Sequence, residues 1–245
     1  MRISDFLKQR EQQRAWEFAN GLGNGDPNTN GEYLCFDYFL QTDLSLFLDV
    51  GANKGIFTKR ALEQYPDLPL LALDELEGQD VSFFVHPKHH ETSSLSPRKL
   101  MTSRFQDDMH EITVPVKTLD GVLSAESVDL INIFIKIDTE GHEAGVMRGA
   151  KSMLEEAEQA AILFEYSFAW IESGQSIENN FQFLNGLGFN FYRVLPVGLE
   201  HLRFITRDMP NIQYCNYMAV KGHGFENCEQ LSVASPLGAN QLILL

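Results

Sequence analysis

Two short segments of the chain carry residue types at spacings that suit cofactor binding and proton transfer. The first, Leu46-Phe-Leu-Asp-Val-Gly-Ala-Asn-Lys-Gly-Ile-Phe57, runs from an apolar strand through a tight turn into a helix. Gly51 and Gly55 permit turn conformations and close backbone approach that a Cβ would block, and Asn53 is one of the few other residues to tolerate a positive φ. This G-x-N-x-G spacing differs from the G-x-G-x-x-G that seats a pyrophosphate on a helix N-terminus, which argues against NAD. A cofactor offering an ammonium group rather than a phosphate, as S-adenosylmethionine does, is better matched by Asp49, the carboxylate at the strand end. Glycines placed at a βα turn for purely structural reasons give the same pattern.

The second segment, Ile135-Lys-Ile-Asp-Thr-Glu-Gly-His-Glu143, closes a strand whose alternation sets Lys136 and Asp138 on one side and Ile135 and Ile137 on the other. Asp138 falls at the C-terminal end, where open α/β sheets bind ligands, and is the first candidate for a general base. The alternative is an Asp that caps the next helix. Lys136 is a candidate for stabilising a developing alkoxide, or one half of a structural ion pair. Glu140 completes the catalytic candidates, although it and Glu143 also sit where first-turn carboxylates complement a helix dipole. Glu165 ends the next strand and points toward the same crevice, as a substrate or metal carboxylate. Two carboxylates from neighbouring strands are weak grounds for Mg²⁺, so no metal is expected. His86, His89 and His90 cluster in a polar loop that would hold zinc poorly and is expected to be exposed. Tyr33, Phe36, Tyr38 and Phe39 could stack on a substrate ring, but such a run beside the first strand more often belongs to a core.

These residues need a sheet to hold them. From Leu44 onward short apolar runs alternate with helical periodicity, the pattern of an α/β fold. Strands are expected over 44–50, 81–85, 133–138, 161–165, 189–195 and 214–220, and helices over 56–64, 142–157 and 177–187, the last stopped by Gly188. Residues 1–43 read as an N-terminal helix and a glycine-rich linker, 44–221 as the α/β domain, and 222–245 as a tail without usable periodicity. Nineteen Lys and Arg against 34 Asp and Glu leave a net charge of −15, which disfavours nucleic acid and anionic lipid as partners. Three widely spaced cysteines with no C-x-x-C pair read as free thiols in a reducing compartment. No run approaches the ~20 apolar residues of a spanning helix. Charged residues interrupt every candidate signal sequence near the N-terminus, so a cytoplasmic location is expected. The oligomeric state is left open.

The segment Asp49-Val-Gly-Ala-Asn-Lys-Gly55 resembles the first motif of the FkbM family of S-adenosylmethionine-dependent O-methyltransferases. Further matches follow in order. Ser93-Ser-Leu95 is similar to the family's Ser-Ser-Leu element, and Val114-Pro-Val-Lys-Thr-Leu-Asp120 to its V-x-x-x-x-L-D strand and turn. Ile135 to Glu143 resembles its K-I-D-x-E-G-x-E signature, Ile162-Leu-Phe-Glu165 the strand that follows, and Asn216-Tyr-Met-Ala219 its closing strand. The resemblance spans about residues 44 to 221. It implies a Rossmann-like class I methyltransferase sheet, S-adenosyl-L-methionine held at Asp49, Gly51, Asn53 and Gly55, and Ser93 and Ser94 near the acceptor. The acceptor it implies is a small molecule or glycan, with the hydroxyl of a sugar in a glycan or glycolipid foremost.

The chain departs from that pattern after the first helix. Too few residues precede Val81 for the usual second strand, helix and third strand, so the wing of the sheet is expected to be shortened, with one strand over 69–73. In one alignment 70–74 is the second strand and Asp74 or Glu75 binds the ribose hydroxyls, ~20 residues beyond the glycine turn. In the other, 72–78 matches the exit of the third strand and the ribose strand is missing; the local residues favour this one. A missing strand would make the protein a catalytically impaired relative that serves as a binding or scaffold module, the main alternative to an enzyme.

Overall fold

The computed structural model describes residues 3, 4, 8, 12, 23–73, 79–86, 93–97, 109–124, 126, 128–203, 205, 215–235 and 238–245. The helix expected over 3–18 therefore lies almost wholly outside the described residues, as do Asp74, His89 and His90.

Nine strands form one sheet. In chain order they are β1 (Leu46–Val50), β2 (Leu70–Leu73), β5 (Asn132–Ile137), β6 (Gln159–Tyr166), β7 (Asn190–Leu195), β8 (Gly198–Leu202), β9 (Cys215–Lys221), β10 (Gln230–Ser235) and β11 (Gly238–Leu244). Across the sheet the order is β2-β1-β5-β6-β9-β7-β8-β11-β10. The first four run parallel, and each later neighbour is antiparallel to the one before. A separate antiparallel pair joins β3 (Gln79–Val85) to β4 (His110–Val116).

Helices cover both faces, which explains why β1 and β5 are apolar almost throughout rather than alternating with polar residues. On one face lie α1 (Glu32–Leu40) and α2 (Ile56–Gln64). There Phe36 and Phe39 are fully buried against Phe47 and Phe134, with ring centroids 5.4 Å apart for Phe36–Phe47 and 5.8 Å for Phe39–Phe134. On the other face α3 (Leu119–Leu123), α4 (Glu143–Gly149), α5 (Lys151–Glu156), α6 (Phe168–Glu172) and α7 (Ile177–Gly186) cover Leu48, Ile135, Ile162 and Phe191. The aromatic run of α1 is thus core. Tyr33 meets Phe57 edge to face beneath the Arg60 guanidinium, and Arg60 in turn pairs with Asp37, which locks α1 to α2.

Several expectations change. The single helix over 142–157 is two, because the chain breaks at Ala150 and Asp120 accepts hydrogen bonds from the amides of Ser152 and Met153 that start α5. The segments on either side of 44–221 are not peripheral to the core: α1 buries Cys35, Phe36 and Phe39 in it, and β10 and β11 extend the sheet through β8. The one strand expected over 69–73 lies beside β1, with Phe47 opposite Leu70 and Val50 opposite Leu73. Among the described residues the sheet ends at that strand, and β3 pairs with β4 instead.

Candidate functional site

Gly51, Asn53 and Gly55 all adopt left-handed backbone, at φ 76°, 48° and 65°. The turn draws three strand ends together. The amides of Gly51 and Ala52 both donate to Leu73 O of β2, and the Asp138 amide donates to Val50 O. A Cβ on Gly51 would collide with the carbonyl of Asp138, so glycine is required there by contact as well as by φ. Asp49 is buried, and its Oδ2 accepts from the Thr58 amide at 3.1 Å and the Thr58 hydroxyl at 2.6 Å. Burial raises the Asp49 pKa, opposed by those Thr58 bonds and by the charge of Lys136.

Lys136 is buried on the face of the sheet that α1 covers, with its ammonium 2.8 Å from Asp138 Oδ2 and 4.7 Å from the centre of the Phe57 ring. Burial works against its charge, but Asp138, Glu32 and Asp49 outweigh it and hold the pKa above the usual lysine value. Alternation puts Glu165 of β6 on this same face, where it lies opposite Asn216 of β9 in the ladder. Glu32, the first residue of α1, is buried over the same rim; burial raises its pKa, with Lys136 opposing and Asp138 adding to the rise. Asn30 and Asn216 offer hydrogen bonds to Glu32.

The loop from β5 to α4 is held from inside and outside. Glu140 and Gly141 take left-handed backbone. Glu143 reaches back to accept from the amides of Thr139 at 2.9 Å and Gly141 at 3.1 Å, and burial pushes its pKa up to about 7 against those bonds. From outside, Ser94 is paired in both directions with Phe84 through the backbone, and its hydroxyl donates to Glu140 O at 2.8 Å. Ser96 Oγ lies 3.3 Å from His142 Nε2. Ser93 Oγ accepts from the His86 amide at 3.2 Å. The Ser94 hydroxyl therefore fastens this loop, while the Ser93 hydroxyl is engaged with the backbone just after β3. Thr139 Oγ1 and His142 Nδ1 are buried polar atoms without a partner among the described residues.

The geometry brings Asp49, Gly51, Asn53, Gly55, Lys136, Asp138, Glu140 and Glu165 to one end of the sheet. His86, expected in an exposed loop, is buried instead. Sequence reasoning missed Glu32, Thr58 and the role of Asn216. Asn216 had a signal, since it begins a strand beside the one ending in Glu165, whereas nothing local marks Glu32 or Thr58 as neighbours of Lys136 and Asp49. Among the described residues no three His, Cys, Asp or Glu side chains are grouped as metal ligands. No helix among them is long and apolar enough to cross a membrane.

A layered α/β sheet with a left-handed glycine turn after its first strand, and charged residues at the ends of the next two central strands, is the frame of a methyltransferase-like protein. The chain matches the methyltransferase FkbM domain over residues 19–191, well over half its length, and it belongs to that family. The family implies a methyl donor. No curated protein and no solved structure matches the chain.

Proposed function

We propose that the protein transfers a methyl group from S-adenosyl-L-methionine to a hydroxyl, that of a sugar in a glycan or glycolipid. The observation that carries this reading is the contact of Gly51 with the Asp138 carbonyl. It sets the left-handed turn suited to a donor directly against the loop that presents Lys136, Asp138 and Glu140. The residues fit such a donor. Gly51, Asn53 and Gly55 leave a turn free of β-carbon bulk at the tightest point, and the Thr58 bonds to Asp49 fall on Oδ2 alone. Asp74, the next residue in the sequence after β2, is the one this reading assigns to the ribose hydroxyls.

The donor supplies an electrophilic methyl carbon when bound. The chain's own residues align the acceptor oxygen with it and receive the hydroxyl proton. On this reading Lys136 and Asp138 orient the acceptor, and Ser94 acts on it only through the loop it holds.

Calorimetric titration with S-adenosylhomocysteine tests the donor assignment, and turnover of labelled S-adenosylmethionine over a set of glycosides tests the reaction. No binding by the wild type would overturn both. Binding without turnover would favour the second reading, a relative that keeps the fold as a binding module, which the end of the sheet at β2 supports.

A further inference from the structure

We propose that Glu165, a carboxylate at the sheet rim that no described side chain pairs, takes the proton of the acceptor hydroxyl, while Lys136 and Asp138 position the acceptor. This rests on the methyltransferase reading and names the base within it.

The argument begins with which donors are already used. At this rim Lys136 is bonded to Asp138, and Asn216 lowers the Glu32 pKa against the rise from burial. The amides of Thr139 and Gly141 serve Glu143, and the Thr58 hydroxyl and amide serve Asp49. Glu165 is part-buried, and among the described residues no hydrogen bond or ion pair reaches its carboxylate. Only its backbone is engaged, its carbonyl accepting from Trp170 Nε1 at 2.9 Å. The groups that face it are Asp138 of β5, Glu140 and Glu143 of the following loop and helix, Glu32 of α1, and Cys215 of β9, a thiol that burial pushes up to about 12. Burial and these carboxylates hold the Glu165 pKa well above the usual value.

A base needs a lone pair that is not spent elsewhere and a basicity near that of the working medium. Asp138 fails the first condition, since its Oδ2 already accepts from the Lys136 ammonium at 2.8 Å. Glu165 meets both. In the step, the acceptor oxygen forms its bond to the methyl carbon as the carbon–sulfur bond breaks. The electron pair of that bond goes to sulfur, which becomes a neutral thioether, and the hydroxyl proton passes to Glu165 and then to water. A cation beside these carboxylates also favours their ionised forms, so binding a cationic donor makes Glu165 ready to accept. The surrounding negative charge favours an uncharged acceptor over a phosphorylated one.

The test follows the carboxyl ¹³C signal of Glu165, assigned by its absence in Glu165→Gln, through a pH titration. It is run on the protein alone, with S-adenosylhomocysteine, and with sinefungin, a cationic analogue. The expected midpoint lies above the ordinary carboxylate range and moves down more with sinefungin than with the neutral thioether. Glu165→Gln should keep S-adenosylhomocysteine affinity within about twofold. With neutral glycosides, it should lose ~10²-fold or more in turnover together with the acid limb of the pH profile. An ordinary midpoint, a midpoint unmoved by bound sinefungin, or full turnover in Glu165→Gln overturns the assignment. Faster turnover of sugar phosphates than of neutral glycosides overturns the acceptor class. Failure of the wild type to bind either analogue overturns the methyltransferase reading itself, while the midpoint without ligand still decides whether Glu165 stands unpaired.

Discussion

Lys136 and Asp138 stand two residues apart at the end of β5 and are bonded to each other, Nζ to Oδ2, at 2.8 Å. Strand geometry turns both side chains to one face, so the buried ammonium is held by a carboxylate that itself reaches solvent. The pair carries charge from the core to the rim, where Glu32 and Asp49 share its field.

Replacing Lys136 by Met would leave Asp49 and Glu32 buried with no cation beside them. Breaking a fully buried pair costs ~3 to 5 kcal/mol; here Asp138 is partly exposed, so a loss of about 2 kcal/mol is expected. The loss should grow with pH, because the remaining carboxylates must ionise without compensation. Urea denaturation at pH 5 and pH 8 measures it, and equal stability of variant and wild type at pH 8 would refute the account.

Gly51→Val places a β-branched residue at φ 76° and drives its Cβ into the Asp138 carbonyl. Left-handed backbone alone costs ~1 to 2 kcal/mol, so a lower melting temperature is expected along with at least tenfold weaker S-adenosylhomocysteine binding. Unchanged affinity in a folded variant would move the donor site elsewhere.

Glu143 gives a prediction with a definite sign. Its folded pKa of about 7 lies above the ordinary glutamate value of 4.5, so the folded state binds the proton more tightly than the unfolded state. Its contribution is present below the unfolded value and is lost as pH rises through about 7. Melting temperatures should therefore fall between pH 5 and pH 8, and Glu143→Gln should flatten part of that fall. A variant whose curve parallels the wild type throughout would show that this carboxyl titrates normally.

Ser94→Ala removes the part-buried bond to Glu140 O, at a cost of ~0.5 to 1.5 kcal/mol. The expected signature is a loss of stability with little change in KM for the acceptor. A large rise in KM at unchanged stability would return Ser94 to direct substrate contact.

Asp74→Ala tests the strand beside β1. As the ribose ligand Asp74 would contribute ~1.5 to 3 kcal/mol per charged hydrogen bond, so affinity for S-adenosylhomocysteine should drop about tenfold or more with the fold retained. Unaltered affinity would show that the strand ends without a ribose carboxylate.

Much of the frame was legible in the chain. The apolar runs expected as strands over 44–50, 133–138 and 161–165 form β1, β5 and β6, and Gly51, Asn53 and Gly55 announce left-handed backbone because few other residues adopt it cheaply. Gly188 likewise stops α7 by local chemistry, taking φ 88°, while the structure adds Ser176 at the other end, accepting from the Asn179 amide. The tail was not legible, because β10 and β11 are strands by virtue of pairing with each other and with β8, which local composition does not encode.

The sequence by itself determined which residues could do chemistry and at which strand ends they fall, since side-chain alternation and glycine backbone preferences are local properties. Only the tertiary structure decided which of those groups are already engaged. Lys136 meets Asp138 within one strand, but it meets Glu32 across more than a hundred residues, and Asp49 is capped by Thr58 only after α2 folds back on β1. A carboxylate's basicity depends on the charges and donors packed within a few ångströms of it, and those distances exist only once the layers close.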